Sequence, residues 1–577
     1  MSTPIGLPPQ PSGSSPHRAA PSHNPVGPAW PTELWLLILG VAALNAFGIT
    51  WGLPNASGDW AIDSVAPLGP LQYAKQMLYG GHWWSKYPAL HFTLLSIVYA
   101  PYAAFLTLTG GLQAGAGAGA HYPWGLTTPE LSVSLFTLMA RAVSAAMGVG
   151  TAVVAYRIGV ELSGRVAGVL AAALFACSPL TVYYADAANL EMPYLFWSSL
   201  ALLSLVRIAR GAPLGTYVRL GVFAAAAIAT KDQAYGLFLL LPIPLLIAHA
   251  GVRDRRLLAG AVAAVVTYLV AANVLIDFRG WLAHVYYITH DGSRPYQMYP
   301  ATLAGYLELS GHVTRLIVET ATPPVVLLAL LGLAVVRPGA RCGVAWLIAA
   351  ALSYLVTFVG PILYVFPRFV LPIVFVSAVL AGVGGAALWT RAGGIGRLAV
   401  AGSLAIVFVY GTSMNLGLIL DSRYAAEAWL TRHVPAGTLV GINGEGAYLP
   451  RVPGNLPTVA VEVTAEGLRF DGAPPEYLVF SDAYYARYLR RARVRPVFLG
   501  LLDGNAGYEQ VATFQSPHLA ATNLIPTMNP RILVLRRRGL PARDSTVRDA
   551  ADRAGRFLQL AERGVDRQHE VVQVGNE

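Results

Sequence analysis

GDWAIDSVAPLGPLQYAKQMLYGGHWWSKYPALH, residues 58–91, follows the first long apolar run of the chain and carries two acids, two lysines, two histidines and three tryptophans. Carboxylates just past an apolar run are costly unless they face water, a partner or a substrate, so Asp59 and Asp63 mark more than a membrane anchor. From Pro67 to Tyr79 the spacing predicts a short amphipathic helix with Leu71, Ala74, Met77 and Leu78 on one side, lying in a membrane interface. Trp83, Trp84 and Tyr87 then supply rings of the kind that settle at headgroup level.

Outward from this stretch the chain is mostly apolar. Of its 577 residues 55% are hydrophobic and 12% charged, and the mean hydropathy is +0.52. Apolar runs of roughly 20 residues, the length that crosses a bilayer, recur from Trp35 to Leu420. The expected fold is an all-α polytopic membrane domain over 31–420, with about 11 transmembrane helices. Candidate spans include Glu33 to Leu53, 132–156, 166–184, 192–209, 314–336, 369–390 and 398–419. Most basic residues flank apolar runs, so topology accounts for the net charge of +10 and no nucleic-acid partner is expected. The two cysteines, Cys177 and Cys342, fall in or beside spans and allow neither a disulfide framework nor a CxxC metal site.

Residues 1–30 are rich in Pro, Ser and Gly without an apolar core, and are expected to form a disordered tail ahead of an uncleaved first span. Over 421–540 short β-like runs (Thr438 to Ile442, Thr458 to Val463, Tyr477 to Ser481, Tyr508 to Phe514, Arg531 to Arg537) alternate with helical segments, predicting a small α/β external domain. Residues 541–577 form a charged tail with no assigned chemistry.

Loop arginines decide the sides of the membrane. If Leu90 to Gly110 lies in the interface, Arg157 and Arg165, Arg207 and Arg210, Arg253 and Arg255, Arg337 and Arg341, and Arg391 and Arg397 all fall inside. The loops at 54–131, 183–194, 230–236, 277–300 and 366–369 then share the outer face. They contain all three lysines, Lys75, Lys86 and Lys231. Lysine is a compact point charge suited to a phosphate, and also a common interfacial anchor.

The order of features resembles the GT-C superfamily: an acid in the first external loop, K-x-P-x-L (Lys86, Pro88, Leu90), R-x-x-S-x-x-x-G (Arg141 to Gly148), Y-R-x-G (Tyr156 to Gly159), acid-Met-Pro (Glu191 to Pro193), T-K (Thr230, Lys231) and P-R-F-x-x-P (Pro367 to Pro372). Within it, the pattern is most similar to protein O-mannosyltransferases and the lipid A aminoarabinose transferase, across roughly residues 30 to 420. The resemblance implies a GT-C-type membrane domain, an external active site in the plasma (inner) membrane, and a polyprenyl-phosphate-linked sugar donor. It implies that Asp63 is the first-loop catalytic acid. The chain departs from the family pattern at Ser64 and Ser85, where acids are usual.

Moving a sugar from a lipid phosphate to an acceptor hydroxyl requires a base for the hydroxyl proton, for which Asp63 is the candidate against a plain turn role. It also requires fixed cations for the departing phosphate: Lys231, Arg368 and Lys86, each with an interfacial-anchor alternative. Glu191 is a second catalytic candidate that orients sugar or acceptor, or else simply starts a helix. Asp59, Asp186, His290 and Asp291 are further substrate-binding candidates. No residues are assigned to a metal, no cofactor is assigned, and a divalent cation is left open. The acceptor, whether protein, lipid or glycan, is not specified by the sequence, and the remaining partners are membrane lipids. The competing class is a secondary transporter of a polar or lipid-linked substrate, which predicts internal repeats and mid-bilayer charges. Neither is evident here.

Overall fold

The computed structural model describes residues 31–55, 60–83, 86–112, 125–248, 254–290, 292, 294–517 and 519–539. The two tails, Asp59 and Asp291 lie outside the described residues. The helices run in order as α1 (Thr32–Ala46), α2 (Leu68–Leu78), α3 (Leu90–Leu108), α4 (Pro129–Ser163), α5 (Arg165–Ala176), α6 (Pro179–Asp186), α7 (Glu191–Ile208), α8 (Leu214–Thr230), α9 (Tyr235–Phe238) and α10 (Pro242–Ala248). They continue as α11 (Arg255–Ala271), α12 (Phe278–His290), α13 (Leu303–Ala321), α14 (Pro323–Val335), α15 (Arg341–Tyr354), α16 (Gly360–Ile362), α17 (Leu371–Arg391) and α18 (Gly393–Ile419).

Among the described residues five helices are long and apolar enough to cross a membrane, or seven if each of two bent pairs counts as one span. This is a multi-pass integral membrane protein with fewer unbroken long helices than the expected 11 spans. The difference has local causes. The expected span 166–184 is α5 and α6, bent by 63°, and 314–336 is α13 and α14, bent by 103°. Pro179 and Pro323 open the second helix of each pair, because proline fits the first turn of a helix but breaks one that precedes it. Other segments, such as Thr32–Ala46 and Leu214–Thr230, are apolar but shorter than 18 residues. α3, expected in the interface, has the length and apolarity of a crossing helix.

At the centre stands α17, buried along almost its whole length. Its small residues let neighbouring backbones come close, the usual basis of helix packing where lipid removes the hydrophobic drive. A Cβ at Gly384 would sit 2.0 Å from the Leu328 carbonyl oxygen of α14, and one at Gly382 would sit 2.5 Å from that of Ala167 in α5. Directly ahead of α17, a tight turn at Pro367–Val370 carries Arg368.

α2 forms where the amphipathic pattern predicts it, but the buried residues are Pro70 and Tyr73, while Leu78 is 81% exposed. Hydrogen bonding explains the choice of face. The Tyr73 hydroxyl accepts from Asn273 at 2.7 Å and from Thr93 at 2.8 Å, and its ring meets Trp83 edge-on.

The connection from α1 to α2 is clamped from two sides. From α4, Arg141 donates to the carbonyls of Ile49 (2.6 Å) and Trp51 (2.7 Å). From beyond α18, Asp421 accepts from the Trp51 indole at 3.1 Å, the Tyr424 hydroxyl accepts from Gly52 N–H at 2.7 Å, and Arg451 donates to the Pro54 carbonyl at 2.8 Å.

The last described part of the chain is an α/β unit: α19 (Ser422–His433), β1 (Val440–Ile442), β2 (Thr458–Val463), β3 (Leu468–Phe470), β4 (Tyr477–Ser481), α20 (Asp482–Leu489), α21 (Arg495–Leu502), β5 (Tyr508–Phe514) and β6 (Ile532–Arg537). Sheet order is β3-β2-β1-β4-β6-β5, with β2, β1 and β4 parallel and the rest antiparallel. Every residue of β4 is buried, as expected of a central strand covered on both faces.

Candidate active site

Asp63 lies in the loop ahead of α2 with a φ of +60°, in the left-handed region that non-glycine residues seldom adopt but aspartate tolerates better than most. Conformations of this kind persist only where surroundings fix them. Here Val65 N–H and Ser64 Oγ both donate to the Ala188 carbonyl, at 2.9 and 3.1 Å. Ala188 belongs to the turn between α6 and α7, three residues before Glu191. The same backbone contact therefore fixes the Asp63 turn and brings it to the start of α7.

Two carboxylates and three cations meet at this point. Lys86 donates to Asp63 Oδ1 at 2.7 Å, and Arg368 Nη1 donates to Asp63 Oδ2. Lys231, at the end of α8, donates to Glu191 Oε1, and Arg368 Nε stands 3.7 Å from that same oxygen. Arg368 thus bridges both acids. Aromatic faces complete the enclosure: Lys86 lies 5.1 Å from the Tyr87 ring centroid, Lys231 lies 5.8 Å from Tyr87 and 5.7 Å from Tyr194, and the Arg368 guanidinium lies 5.0 Å from Phe366 and 5.5 Å from Phe369.

Burial tends to raise the Asp63 pKa, but Arg368 and then Lys86 overcome it and bring the carboxyl down to about 2. In this state Asp63 is a stable anion whose basicity its partners suppress. The pairs differ in exposure: the Lys231 and Glu191 side chains are 10% and 2% exposed, whereas that of Lys86 is 49% exposed.

A small cleft, with about 20 Å³ of room, opens beside Tyr87, lined by Trp83, Asn273, Asp277, Trp281 and His284 among others. Asp277 fixes its rim by accepting from His82 Nδ1 (2.7 Å), Trp83 N–H (2.8 Å) and Gly280 N–H (3.0 Å). On its other flank His284 Nε2 lies 3.1 Å from Asp232, the neighbour of Lys231.

Of the residues singled out in the sequence, Asp63, Glu191, Lys86, Lys231 and Arg368 come together, from segments up to 305 positions apart. Asp186 and His290 are not with them. Asp186 is buried at the end of α6 within the field of Arg141 and beside Gly48. His290, exposed at the end of α12, stacks on Tyr286 with centroids 4.2 Å apart and meets the Tyr286 carbonyl at 3.0 Å, so its ring is occupied locally. Tyr194 was not anticipated. Tyr194 lies three residues after Glu191, one helical turn away and on the same face, a spacing that could have signalled it. Among the described residues no group of three or more His, Cys, Asp or Glu is placed to hold a metal ion.

No family model matches the chain, and no curated protein sequence does. The structure is similar in fold to ArnT from Cupriavidus metallidurans bound to undecaprenyl phosphate, at 14% identity over 88% of this chain and 98% of that one, with a TM-score of 0.45. It is similar to the Archaeoglobus fulgidus oligosaccharyltransferase in complex with zinc and sulfate, at 13% identity over 80% and 70% of the two chains, with a TM-score of 0.44. It is also similar to the S. cerevisiae protein O-mannosyltransferase complex bound to its sugar donor, at 17% identity over 45% and 34%, with a TM-score of 0.30.

Proposed function

We propose that this protein is an integral-membrane glycosyltransferase that moves a sugar from a polyprenyl phosphate to an acceptor hydroxyl, at the external face of the plasma (inner) membrane. The observation that carries the reading is the meeting of Asp63 and Glu191 with Lys86, Lys231 and Arg368 in one partly buried site. Among the described residues this network holds three cations to two carboxylates. The excess suits a phosphodiester, which carries one negative charge and gains more as it becomes a leaving phosphate monoester.

In the proposed reaction the acceptor oxygen forms its bond to the anomeric carbon as the bond from that carbon to the phosphate oxygen breaks. The bonding pair leaves with the phosphate, and the hydroxyl proton passes to Asp63. Donor binding prepares this step: as the phosphate draws Lys86 and Arg368 toward itself, Asp63 loses the partners that depress its pKa and becomes a stronger base. Glu191, held by Lys231, orients the sugar.

The test is Asp63→Asn, which keeps shape and removes basicity. Mass spectrometry of glycans and glycolipids should show a product that a deletion strain lacks and the wild-type gene restores. The variant, inserted and monodisperse, should restore it on the order of 10² to 10⁴ times more slowly. Near-normal product formation by Asp63→Asn would sink the assignment.

A further inference from the structure

The turn that carries Asp63 has two ends, and the contact with Ala188 fixes only one of them. Ser64 N–H donates to the Ala61 carbonyl at 3.2 Å, closing a four-residue turn with Asp63 in third place. Downstream, Ala188 holds this turn through Ser64 and Val65. Upstream, the first residue outside it is Trp60, 0% exposed.

Most of what surrounds the Trp60 indole comes from the C-terminal α/β unit. The Arg423 guanidinium lies 4.1 Å from the ring centroid and that of Arg451 lies 5.2 Å away, while the Tyr424 ring packs at 5.1 Å between centroids. From the α1–α2 connection, Trp51 meets the indole edge-on at 6.0 Å, and a Cβ on Gly52 would lie 2.8 Å from it. Both cations are themselves fixed. Arg423 donates to the two oxygens of Asp421 at 2.9 and 2.7 Å and to the Ala447 carbonyl at 2.6 Å, and Arg451 donates to Glu427 at 2.7 Å and to the Pro54 carbonyl at 2.8 Å. Hydrogen bonds of a guanidinium lie in its plane, which leaves its face for a ring, and the attraction grows when both are desolvated. Among the described residues the buried indole Nε1–H has no hydrogen-bond partner. A phenylalanine or leucine would fill the space without that penalty, so the two cations account for the choice of tryptophan.

We propose that Trp60 is a positioning residue: held between Arg423 and Arg451, it fixes the upstream end of the Asp63 turn, so that the C-terminal α/β unit aims the Asp63 carboxylate. The proposal rests on the glycosyltransferase reading above. Misplacing a catalytic group by about 1 Å can cost on the order of 10² in rate, and Trp60 stands only three residues from Asp63. Lys231 and Arg368 are carried by other segments, so binding of the donor phosphate should survive the loss of this aim.

Trp60→Leu in the full chain tests this, with a water-soluble carbodiimide and glycine methyl ester as the probe of Asp63. Activation needs the protonated carboxyl, which two neighbouring cations disfavour, so a carboxylate that swings away from them reacts more readily. Mass spectrometry should show Asp63 labelled about fivefold more, or beyond, in Trp60→Leu than in wild type. In the deletion strain this variant should restore product about tenfold more slowly, or worse, with undecaprenyl phosphate bound within about twofold of wild type. Trp60→Phe, which keeps a smaller ring, should fall between the two, and it decides against wild type should Trp60→Leu fail to insert. The control is Phe498→Leu, in the core that Phe498 forms with Phe480 and Tyr485. It should lower thermal stability and leave Asp63 labelling unchanged. Unchanged labelling in the Trp60 variants, an equal rise in Phe498→Leu, or normal product from Trp60→Leu where Asp63→Asn loses it, each overturns the proposal. A rise confined to the Trp60 variants, together with normal product from Asp63→Asn, would sink the base assignment and leave Trp60 as the residue that holds the turn.

Discussion

Asp63 is held at about 2 by Arg368 and Lys86 against the pull of burial, which fixes how the protein should respond to pH. A depressed carboxyl stabilises the fold fully above its unfolded value near 4, on the order of 2 kcal/mol here, and that contribution fades as pH falls toward 2. In turnover, the acid limb of kcat/KM reports the free enzyme and that of kcat the donor complex. Because the donor phosphate is to take the cations from Asp63, the kcat limb should lie at higher pH. Coincident limbs in pH–rate profiles would show that the cations stay with the carboxylate. The cations also differ as targets. Removing Lys231 leaves Glu191, at 2% side-chain exposure, with only the longer Arg368 contact at 3.7 Å, and breaking a buried pair costs about 3–5 kcal/mol. The Lys86 pair is far more exposed and contributes about 0–1 kcal/mol. Lys86→Ala should therefore weaken undecaprenyl phosphate binding at nearly unchanged thermal stability, while Lys231→Ala should lower both. Equal binding by Lys86→Ala and wild type would remove Lys86 from the phosphate site. These five charges were legible in the sequence because a charge beside an apolar run is expensive and has to be used. Asp186 was singled out on the same grounds, but residue type does not say which wall a side chain faces.

At the scale of elements, the packing around α17 sets the position of Arg368. Gly384 lies against the backbone of α14, where a side chain would meet the Leu328 carbonyl at 2.0 Å from Cβ outward. Gly384→Leu must push the helices apart, at a cost of about 1–3 kcal/mol or more, and shift the turn that carries Arg368. The expected result is a lower apparent Tm in detergent together with weaker donor binding. Unchanged values in both would show that this contact is dispensable. Short β-like runs were legible: β2, β4 and β5 run over Thr458–Val463, Tyr477–Ser481 and Tyr508–Phe514, as expected. β3 and α21 were not. Three residues, Leu468–Phe470, are too few to show a period of two, and Arg495–Leu502 hides its helix behind Pro496 and Gly500. Hydropathy also merged α5 with α6 and α13 with α14, because average apolarity is blind to direction.

For the whole molecule, the arginine pattern predicts which side each part occupies. A reporter fused after Leu420 should be exported, and one fused within 157–165 should not. An exported signal from the second fusion would invert the assignment and move the charged site to the cytoplasmic face.

The clamp on the α1–α2 connection also bears on how the protein is made. Trp51 waits for Asp421, 370 positions later, and Asp63 waits for Arg368. A chain that ends before Arg368 has the Asp63 turn and its Ala188 contact but lacks Arg368, Asp421, Tyr424 and Arg451. Chains arrested near residue 350 should be cut by protease between residues 49 and 55 where the finished protein resists. On the proposed function, the protein should stay silent through nearly all of its own synthesis and become competent only once the last part of the chain docks.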